Sequence, residues 1–169
     1  IKVVPTGIGH GTITAVTSTR HFEITTLRVD VATDGRRADV AFTGDWVEDA
    51  KRRDFTLNAL YCDADGTVHD PLGGLGDLKA RRVRFIGDAH ERIREDYLRI
   101  LRFFRFHAWY GKGEPDDAGL RACAEEKEGL RQLSGERVRD ELFKIASADN
   151  AGEAYRQMAA AGILAIVLP

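Results

Sequence analysis

The hydrophobic pattern of this chain changes near Asp88 from the alternation that is typical of strands to the spacing that is typical of helices. Before that point, Thr12 to Val16 and Phe22 to Val31 are rich in Thr, Val and Ile, and they predict an antiparallel hairpin. After it, the apolar spacing predicts helices at residues 89–109, 116–129, 134–147 and 150–162. A sheet followed by helices indicates an α+β fold.

Shorter elements are expected between these two parts. Asp45 is a typical N-cap for a short helix that ends at Arg53, with acidic residues in its first turn and basic residues in its last. Asp65-Gly66 predicts the turn of a second hairpin, with strands at 57–62 and 67–69. The remaining predicted elements are turns at 7–11 and 34–35, a loop at 70–76 and a strand at 82–86.

The composition indicates a globular protein that does not span a membrane. Hydrophobic residues make up 43% of the chain and charged residues 31%, and no apolar run approaches the ~18 residues of a transmembrane helix. No secretory signal is recognisable, so the cytoplasm is the expected location. Cys62 and Cys123 form no CxxC pair and are expected to be buried apolar groups in a reducing compartment.

Positive charge is concentrated in one segment although the net charge is only -2. Residues 79–105 contain nine basic and four acidic residues, whereas residues 112–141 contain six basic and nine acidic residues. The first segment therefore carries a local charge of +5 and the second a charge of -3. This distribution favours an anionic ligand near the first segment.

Asp96 and Arg99 lie three positions apart in the predicted helix 89–109, so both side chains can reach the edge of one ligand. An ionised Asp only accepts hydrogen bonds and an Arg only donates them. Adenine and cytosine match this pair, because each has an amino donor beside a ring-nitrogen acceptor, whereas guanine and uracil have the opposite pattern. The alternative interpretation is an ordinary surface ion pair.

Arg102 and Arg105 continue the row of arginines along the same helix and could follow a triphosphate outward from the base. Burying several guanidinium groups without an anion is costly, which favours a polyanionic ligand. The opposite face is expected to pack in the core through the apolar residues Tyr97, Ile100, Leu101, Phe104 and Ala108.

A second cluster of polar residues lies at the end of the short helix that begins at Asp45. We expect Arg53 to contact phosphate and Asp54 to accept a hydrogen bond from a ribose hydroxyl. Asn58 is expected either to bind the ribose or to brace the turn. The alternative is that the basic residues only complement the dipole of the helix.

Two long segments, RRDFTLNALYCDADGTVHDPLGGLGDLKARRVRFIG and RIREDYLRILRFFRF, resemble the class II tRNA nucleotidyltransferases and bacterial poly(A) polymerases of the DNA polymerase beta superfamily. The resemblance covers almost the whole chain, and GGLGDL, EDYLRILRFFRF and TDGRRADV are more similar to the CCA-adding branch. It implies a head of mixed, largely antiparallel sheet with helix at residues 1–87, a helical neck at 88–147 and the start of a helical body at 148–169.

The resemblance also implies an activity, which is the template-independent addition of C, C and A to the 3′ end of tRNA from CTP and ATP. It assigns recognition of the base to Asp96 and Arg99, and nucleotide contacts to Arg53, Arg102 and Arg105. A poly(A) polymerase and a non-catalytic module that binds nucleotide or RNA are the two alternatives.

Mg²⁺ is the cofactor that the resemblance implies, but the D-x-D motif that holds it in the family follows a G-G-x-V-R-D stretch, and that combination is not found in this chain. Both ends of the chain look cut, so we expect the metal ligands upstream of Ile1 and expect residues 1–169 alone to be inactive. Asp63-Ala64-Asp65 fits the spacing, but its place before Gly66 favours a role in the turn. Glu23 is the candidate for a supporting carboxylate, with an exposed strand residue as the alternative.

Overall fold

A computed structural model describes this chain at residues 1–33 and 38–168, so the predicted turn at Asp34-Gly35 lies outside the described residues. Packing divides the chain into two compact units, Ile1–Arg52 and Arg53–Pro169. Small antiparallel sheets come first and helices follow, which confirms the α+β class. No helix among the described residues is long and apolar enough to cross a bilayer.

The described residues of the first unit form two antiparallel sheets and one short α-helix. Three strands pair in the order β1 (Lys2–Gly7), β2 (Thr12–Val16) and β3 (His21–Thr25). A separate pair consists of β4 (Arg28–Thr33) and β5 (Ala38–Phe42), and helix α1 (Trp46–Lys51) follows it. The residues 8–10 between β1 and β2 form a 3₁₀ turn.

The predicted hairpin of this unit is confirmed, but its second strand is interrupted. Thr25 pairs with Thr12 in β2, and the backbone N–H of Thr26 then donates to the carbonyl of Gly11 at 3.1 Å. The chain resumes as β4, in which Arg28 pairs with Phe42 of β5. The strand that was predicted at residues 22–31 is therefore two strands with different partners.

Helix α1 confirms the predicted cap. The Asp45 side chain accepts from the backbone N–H of Val47 at 2.7 Å, and Glu48 and Asp49 lie in the first turn. The helix ends at Lys51, two residues before the predicted end.

The second unit begins with short elements that differ most from the predictions. Residues 56–58 form a 3₁₀ turn, so the predicted second hairpin is reduced to the pairing of β6 (Tyr61–Cys62) with β7 (Val68–His69). The expected loop at 70–76 contains the start of helix α2 (Gly74–Ala80), and the expected strand at 82–86 is reduced to a single bridge between Phe85 and Phe55. Both predictions were wrong.

Helix α2 forms because Asp70 caps it from outside. The two carboxylate oxygens of Asp70 accept from the backbone N–H groups of Gly74 at 2.7 Å and Leu75 at 2.9 Å. Gly74 lies against the backbone of Thr56, where a Cβ atom would overlap the Thr56 carbonyl. Asp77 is buried and accepts from Thr56 Oγ1 at 2.7 Å, which ties the helix to that turn.

The remaining chain is helical. The predicted helix 89–109 is broken into α3 (Ala89–Glu95) and α4 (Leu98–Tyr110), and the predicted helix 116–129 is α5 (Asp117–Glu125) followed by a 3₁₀ segment at 127–132. The helices predicted at 134–147 and 150–162 are confirmed as α6 (Gly135–Ala146) and α7 (Ala151–Ala160), and α8 (Leu164–Val167) follows.

The core of the second unit is centred on α4. Ile100, Leu101, Phe104 and Ala108 are buried and Tyr97 packs against them, which confirms the predicted apolar face. An aromatic cluster extends this core through Phe55, Phe85, Phe103 and Phe106. Of the two cysteines, Cys123 is buried as predicted, but Cys62 is exposed because it lies in the short hairpin β6–β7.

Candidate nucleotide-binding site

Asp96 does not lie inside a helix as the sequence suggested. Its backbone is extended, with φ of -156° and ψ of 106°, and it separates α3 from α4. One carboxylate oxygen accepts from the backbone N–H of Leu98 at 3.1 Å and so caps α4. The other accepts from Nη2 of Arg137 in α6 at 2.8 Å. The carboxylate is therefore fixed from two elements and remains partly exposed.

Arg99 is the second residue of α4, and its side chain is held by α3. Its Nη1 donates to Glu95 Oε2 at 2.5 Å and to the carbonyl of Arg92 at 2.7 Å. The backbone N–H of Arg99 donates to the carbonyl of Asp96 at 3.0 Å. Asp96 and Arg99 therefore stand on neighbouring turns, but each side chain has its own protein partner.

Arg92 connects the two sequence motifs. Its Nη1 forms an ion pair with Glu95, and its Nη2 donates to the carbonyl of Arg53 at 2.7 Å. The same residue thus supports Glu95, which holds Arg99, and fixes the start of the RRDF segment. The guanidinium of Arg53 lies over the ring of Tyr61, at 5.2 Å from its centroid.

Asp54 is buried, with 4% of its surface exposed, and both of its carboxylate oxygens accept hydrogen bonds from nearby residues. Oδ1 accepts from the backbone N–H of Phe55 and from Nδ2 of Asn58, both at 3.0 Å. Oδ2 accepts from Nε of Arg102 at 2.6 Å. Burial raises the pKa of this carboxyl, but the charge of Arg102 and these hydrogen bonds outweigh it and leave the pKa below the ordinary value.

Arg105 also has a carboxylate partner, Glu141 of α6, at 3.0 Å. Burial lowers the pKa of Arg105, and Glu141 partly opposes this shift. The ring of Phe106 lies near both arginines, at 5.4 Å from Arg102 and 5.0 Å from Arg105. Internal carboxylates balance the charge of both arginines, so their burial alone does not require an external anion, and their contact with an anionic ligand stays a prediction.

Glu23 is exposed on β3 in the first unit, where it pairs in register with Thr14.

In the second unit, Asp63 bonds His69 at 2.7 Å across the hairpin, and Asp65 accepts from the backbone N–H of Thr67 at 2.9 Å. Gly66 has a φ of 92°, so the predicted role of this segment in the turn is confirmed. Within residues 1–33 and 38–168, no group of three or more His, Cys, Asp or Glu side chains is placed to hold a metal ion.

Sequence reasoning missed the residues that support the site. Glu95 precedes Arg99 by four positions, a spacing that favours an ion pair on a helix and could have identified it. Arg137 and Glu141 approach α4 only because α6 packs on it, and they lie more than thirty positions away in the sequence. No local pattern indicates such contacts.

Two protein-family models match the chain. Residues 1–84 match the poly A polymerase head domain, and residues 115–169 match a family described as the probable RNA and SrmB-binding site of polymerase A. The predicted boundaries at residues 87 and 147 stay predictions, since the compact units divide at Arg52 and Arg53.

Named relatives and a solved structure agree with these models. The chain is 52% identical over 149 residues to the mitochondrial CCA tRNA nucleotidyltransferase 1 of Mus musculus, covering 85% of this chain and 34% of that protein. It is 40% identical to the CCA-adding enzyme of Lactobacillus johnsonii, covering 92% of this chain and 39% of that protein. The crystal structure of the Bacillus stearothermophilus CCA-adding enzyme in complex with CTP superposes with a TM-score of 0.85 at 32% identity, covering 96% of this chain and 39% of that one.

The chain thus spans between 34% and 39% of the length of these relatives. The sequence matches extend over the two motifs that carry the site, and the fold match extends over both compact units. On this evidence the chain belongs to the family of tRNA nucleotidyltransferases and bacterial poly(A) polymerases.

Proposed function

We propose that the protein to which this chain belongs adds C, C and A to the 3′ end of tRNA, using CTP and ATP without a nucleic-acid template. The observation that carries the proposal is the fixed pair of Asp96 and Arg99 on neighbouring turns at the start of α4. The similar proteins named above are CCA-adding enzymes, and one of them was solved with CTP.

In this proposal the pair recognises the base through hydrogen bonds of opposite direction. An ionised carboxylate has about four acceptor positions, so Asp96 can accept from a base amino group while it keeps Leu98 and Arg137. Arg99 uses Nη1 for Glu95 and Arg92, and its guanidinium carries three further N–H donors. Adenine and cytosine satisfy both groups, whereas guanine and uracil oppose both.

Arg53, Arg102 and Arg105 are assigned to the phosphates. Arg102 is the most exposed of the α4 arginines that have a carboxylate partner, so part of its guanidinium remains accessible to a phosphate. Asp54 is assigned to holding Arg102 instead of the ribose contact that the sequence suggested, because its carboxylate is buried against Arg102 and Asn58. Asn58 then braces the turn.

Among the described residues, no group of three or more His, Cys, Asp or Glu side chains is placed to hold the Mg²⁺ that the family implies. We therefore propose that other residues of the protein hold the ion, which would neutralise phosphate charge. Glu23 stays a proposed supporting carboxylate of the first unit. The cytoplasm stays the proposed location, although the name of the mouse relative assigns that protein to mitochondria.

The test is to incubate the complete protein with tRNA that lacks its terminal CCA, all four nucleoside triphosphates and Mg²⁺, and to sequence the products. The proposal expects C, C and A at the 3′ end and then termination. A run of A would identify a poly(A) polymerase. Tight binding of nucleotide or RNA without any extension would identify a non-catalytic module. Either of the last two results overturns the proposal.

A further inference from the structure

Three aromatic side chains lie close together at the end of α4. We call Phe106, Trp109 and Tyr110 the aromatic shelf. Trp109 is 47% exposed and Tyr110 52%, and the rings of Phe106 and Tyr110 are 5.6 Å apart. Single exposed apolar residues are common, whereas a contiguous exposed apolar patch is a frequent mark of an interaction site.

The shelf is held in place by hydrogen bonds. Trp109 Nε1 donates to the carbonyl of Lys144 in α6 at 2.9 Å. The carbonyl of Tyr110 accepts from Nε of Arg81 at 3.1 Å. The Trp109 ring is thus anchored through its own nitrogen and Tyr110 through its backbone, so a partner that binds to the Trp109 ring has little freedom of that side chain to restrain.

Cations lie among the rings. A depression of about 400 Å³ is bounded by Arg105, Phe106, Trp109, Tyr110, Lys144 and Ser147. This volume lies within the ~300 to 1,000 Å³ that is usual for small-ligand sites. Arg105 and Lys144 share Glu141 as their acidic partner, so the lining of the depression keeps an excess of positive charge.

The shelf continues the proposed nucleotide site along one helix. Arg102, Phe106 and Tyr110 are spaced four residues apart in α4, and residues at this spacing lie on one face of a helix. The guanidinium of Arg102 lies 5.4 Å from the centre of the Phe106 ring. A strand of RNA whose end lies beside the arginines would therefore meet the shelf within a few nucleotides.

We propose that the aromatic shelf binds one unpaired nucleotide of the RNA substrate by stacking its base on Trp109 and Tyr110. Rings interleaved with cations are typical of surfaces that bind single-stranded nucleic acid, because the rings take the bases and the cations take the phosphates. The proposal rests on the proposed function and names a surface for the RNA, in addition to the site for the incoming nucleotide.

The test uses the complete protein and a tRNA that lacks its terminal CCA. Replacing Trp109 with Ala should weaken binding of this tRNA, measured by fluorescence anisotropy, by roughly 5- to 100-fold, the loss expected for one stacked base. Trp109→Phe keeps a ring and should retain most of the affinity. Leu78→Ala removes an equally exposed apolar side chain from α2, outside the shelf, and should leave the affinity unchanged.

A second measurement reports stacking directly. 2-Aminopurine in place of the unpaired nucleotides near the tRNA 3′ end should lose fluorescence on binding to the wild-type protein and recover it with Trp109→Ala. If Trp109→Ala fails to fold, Tyr110→Ala carries the test, because Tyr110 is the most exposed ring of the shelf. It should also weaken binding, by roughly 5- to 150-fold.

Unchanged tRNA affinity in folded shelf variants would overturn the inference while leaving the proposed function intact, provided that the wild-type protein still extends tRNA. A change of oligomeric state with unchanged tRNA affinity would show that the shelf binds protein, which also overturns it. If the wild-type protein neither binds nor extends tRNA, the proposed function itself fails.

Discussion

At the scale of single residues, each α4 arginine of the proposed site is balanced by a carboxylate of the protein. The three pairs are Arg99 with Glu95, Arg102 with Asp54 and Arg105 with Glu141. Removing Arg102 leaves a buried carboxylate without its cation, whereas Glu95 keeps Arg92 and Glu141 keeps Lys144. Substitution of Arg102 should therefore affect stability as well as binding, and both have to be measured.

Arg102→Ala and Arg105→Ala should each weaken the binding of CTP and the binding of ATP by similar factors, because a contact to phosphate carries no information about the base. Arg102→Ala should also lower the free energy of unfolding by about 3 kcal/mol, since it leaves Asp54 buried without its cation. Calorimetric titration with both nucleotides and urea denaturation measure the two effects. If a variant kept its affinity for one nucleotide and lost its affinity for the other, the assignment of these arginines to the phosphates would be refuted.

Arg137 is the residue whose role is clearest from the structure alone, since it holds one carboxylate oxygen of Asp96. Arg137→Gln should reduce the preference for CTP and ATP over UTP and GTP several-fold, because the Asp96 carboxylate loses one of its two fixed contacts. Arg139→Gln is the matched control, as Arg139 lies in the same helix and pairs only with the exposed Asp140 among its recorded contacts. Equal selectivity in both variants would show that Arg137 does not position Asp96.

At the scale of elements, local sequence rules predicted the long periodic helices. They failed where a single side chain caps a helix and so fixes the residue at which that helix begins. The four long helical segments were found from spacing, but the break at Asp96 was not, because the apolar pattern continues across it. The break depends on the Asp96 carboxylate capping α4 and pairing with Arg137, a residue distant in the sequence. Motifs could thus propose the candidate site residues, whereas they could not predict the geometry of those residues.

Helix α2 was missed for a different reason. Glycines at positions 73, 74 and 76 favour a loop by propensity. In the structure, Asp70 supplies a cap from upstream, and Gly74 is needed for close approach to Thr56. Tertiary contact overrides local propensity here.

This explanation predicts opposite effects for two glycines of the same helix. Gly74→Ala should destabilise the protein strongly, because its Cβ would overlap the backbone carbonyl of Thr56. Gly76→Ala, which meets no atom within 4 Å, should be neutral or stabilise by up to ~1 kcal/mol. Thermal unfolding of both variants is the measurement. Equal melting temperatures would mean that the contact between α2 and the Thr56 turn is not needed.

At the scale of the whole molecule, the hydrophobic core described above is drawn entirely from the second unit. Two of its buried carboxyls, Asp54 and Asp77, have lowered pKa values. Burial alone would raise both pKa values. Arg102 and Asn58 outweigh it at Asp54, and Thr56, Arg82 and Arg84 outweigh it at Asp77.

The stability of the protein should therefore decrease in acid. A carboxyl whose pKa is lower in the folded state stabilises the fold above its unfolded pKa of about 4, and this contribution is lost as the pH falls through the folded value. Urea denaturation at pH 7 and at successively lower pH should show this loss, and Asp77→Asn should reduce the pH dependence. An unfolding free energy that stays constant below pH ~4 would contradict the assigned pKa directions.

The central claim is that Asp96, with Arg99, determines which base the complete enzyme accepts. The most direct measurement is kcat/KM of Asp96→Ala for CTP, ATP, UTP and GTP with tRNA that lacks its end. A bidentate pairing contributes ~1 to 3 kcal/mol of discrimination. The kcat/KM for UTP and GTP, relative to that for CTP and ATP, should therefore increase by roughly 5- to 100-fold. Wild-type preference for CTP and ATP in this variant would contradict the claim and leave the pair a purely structural feature.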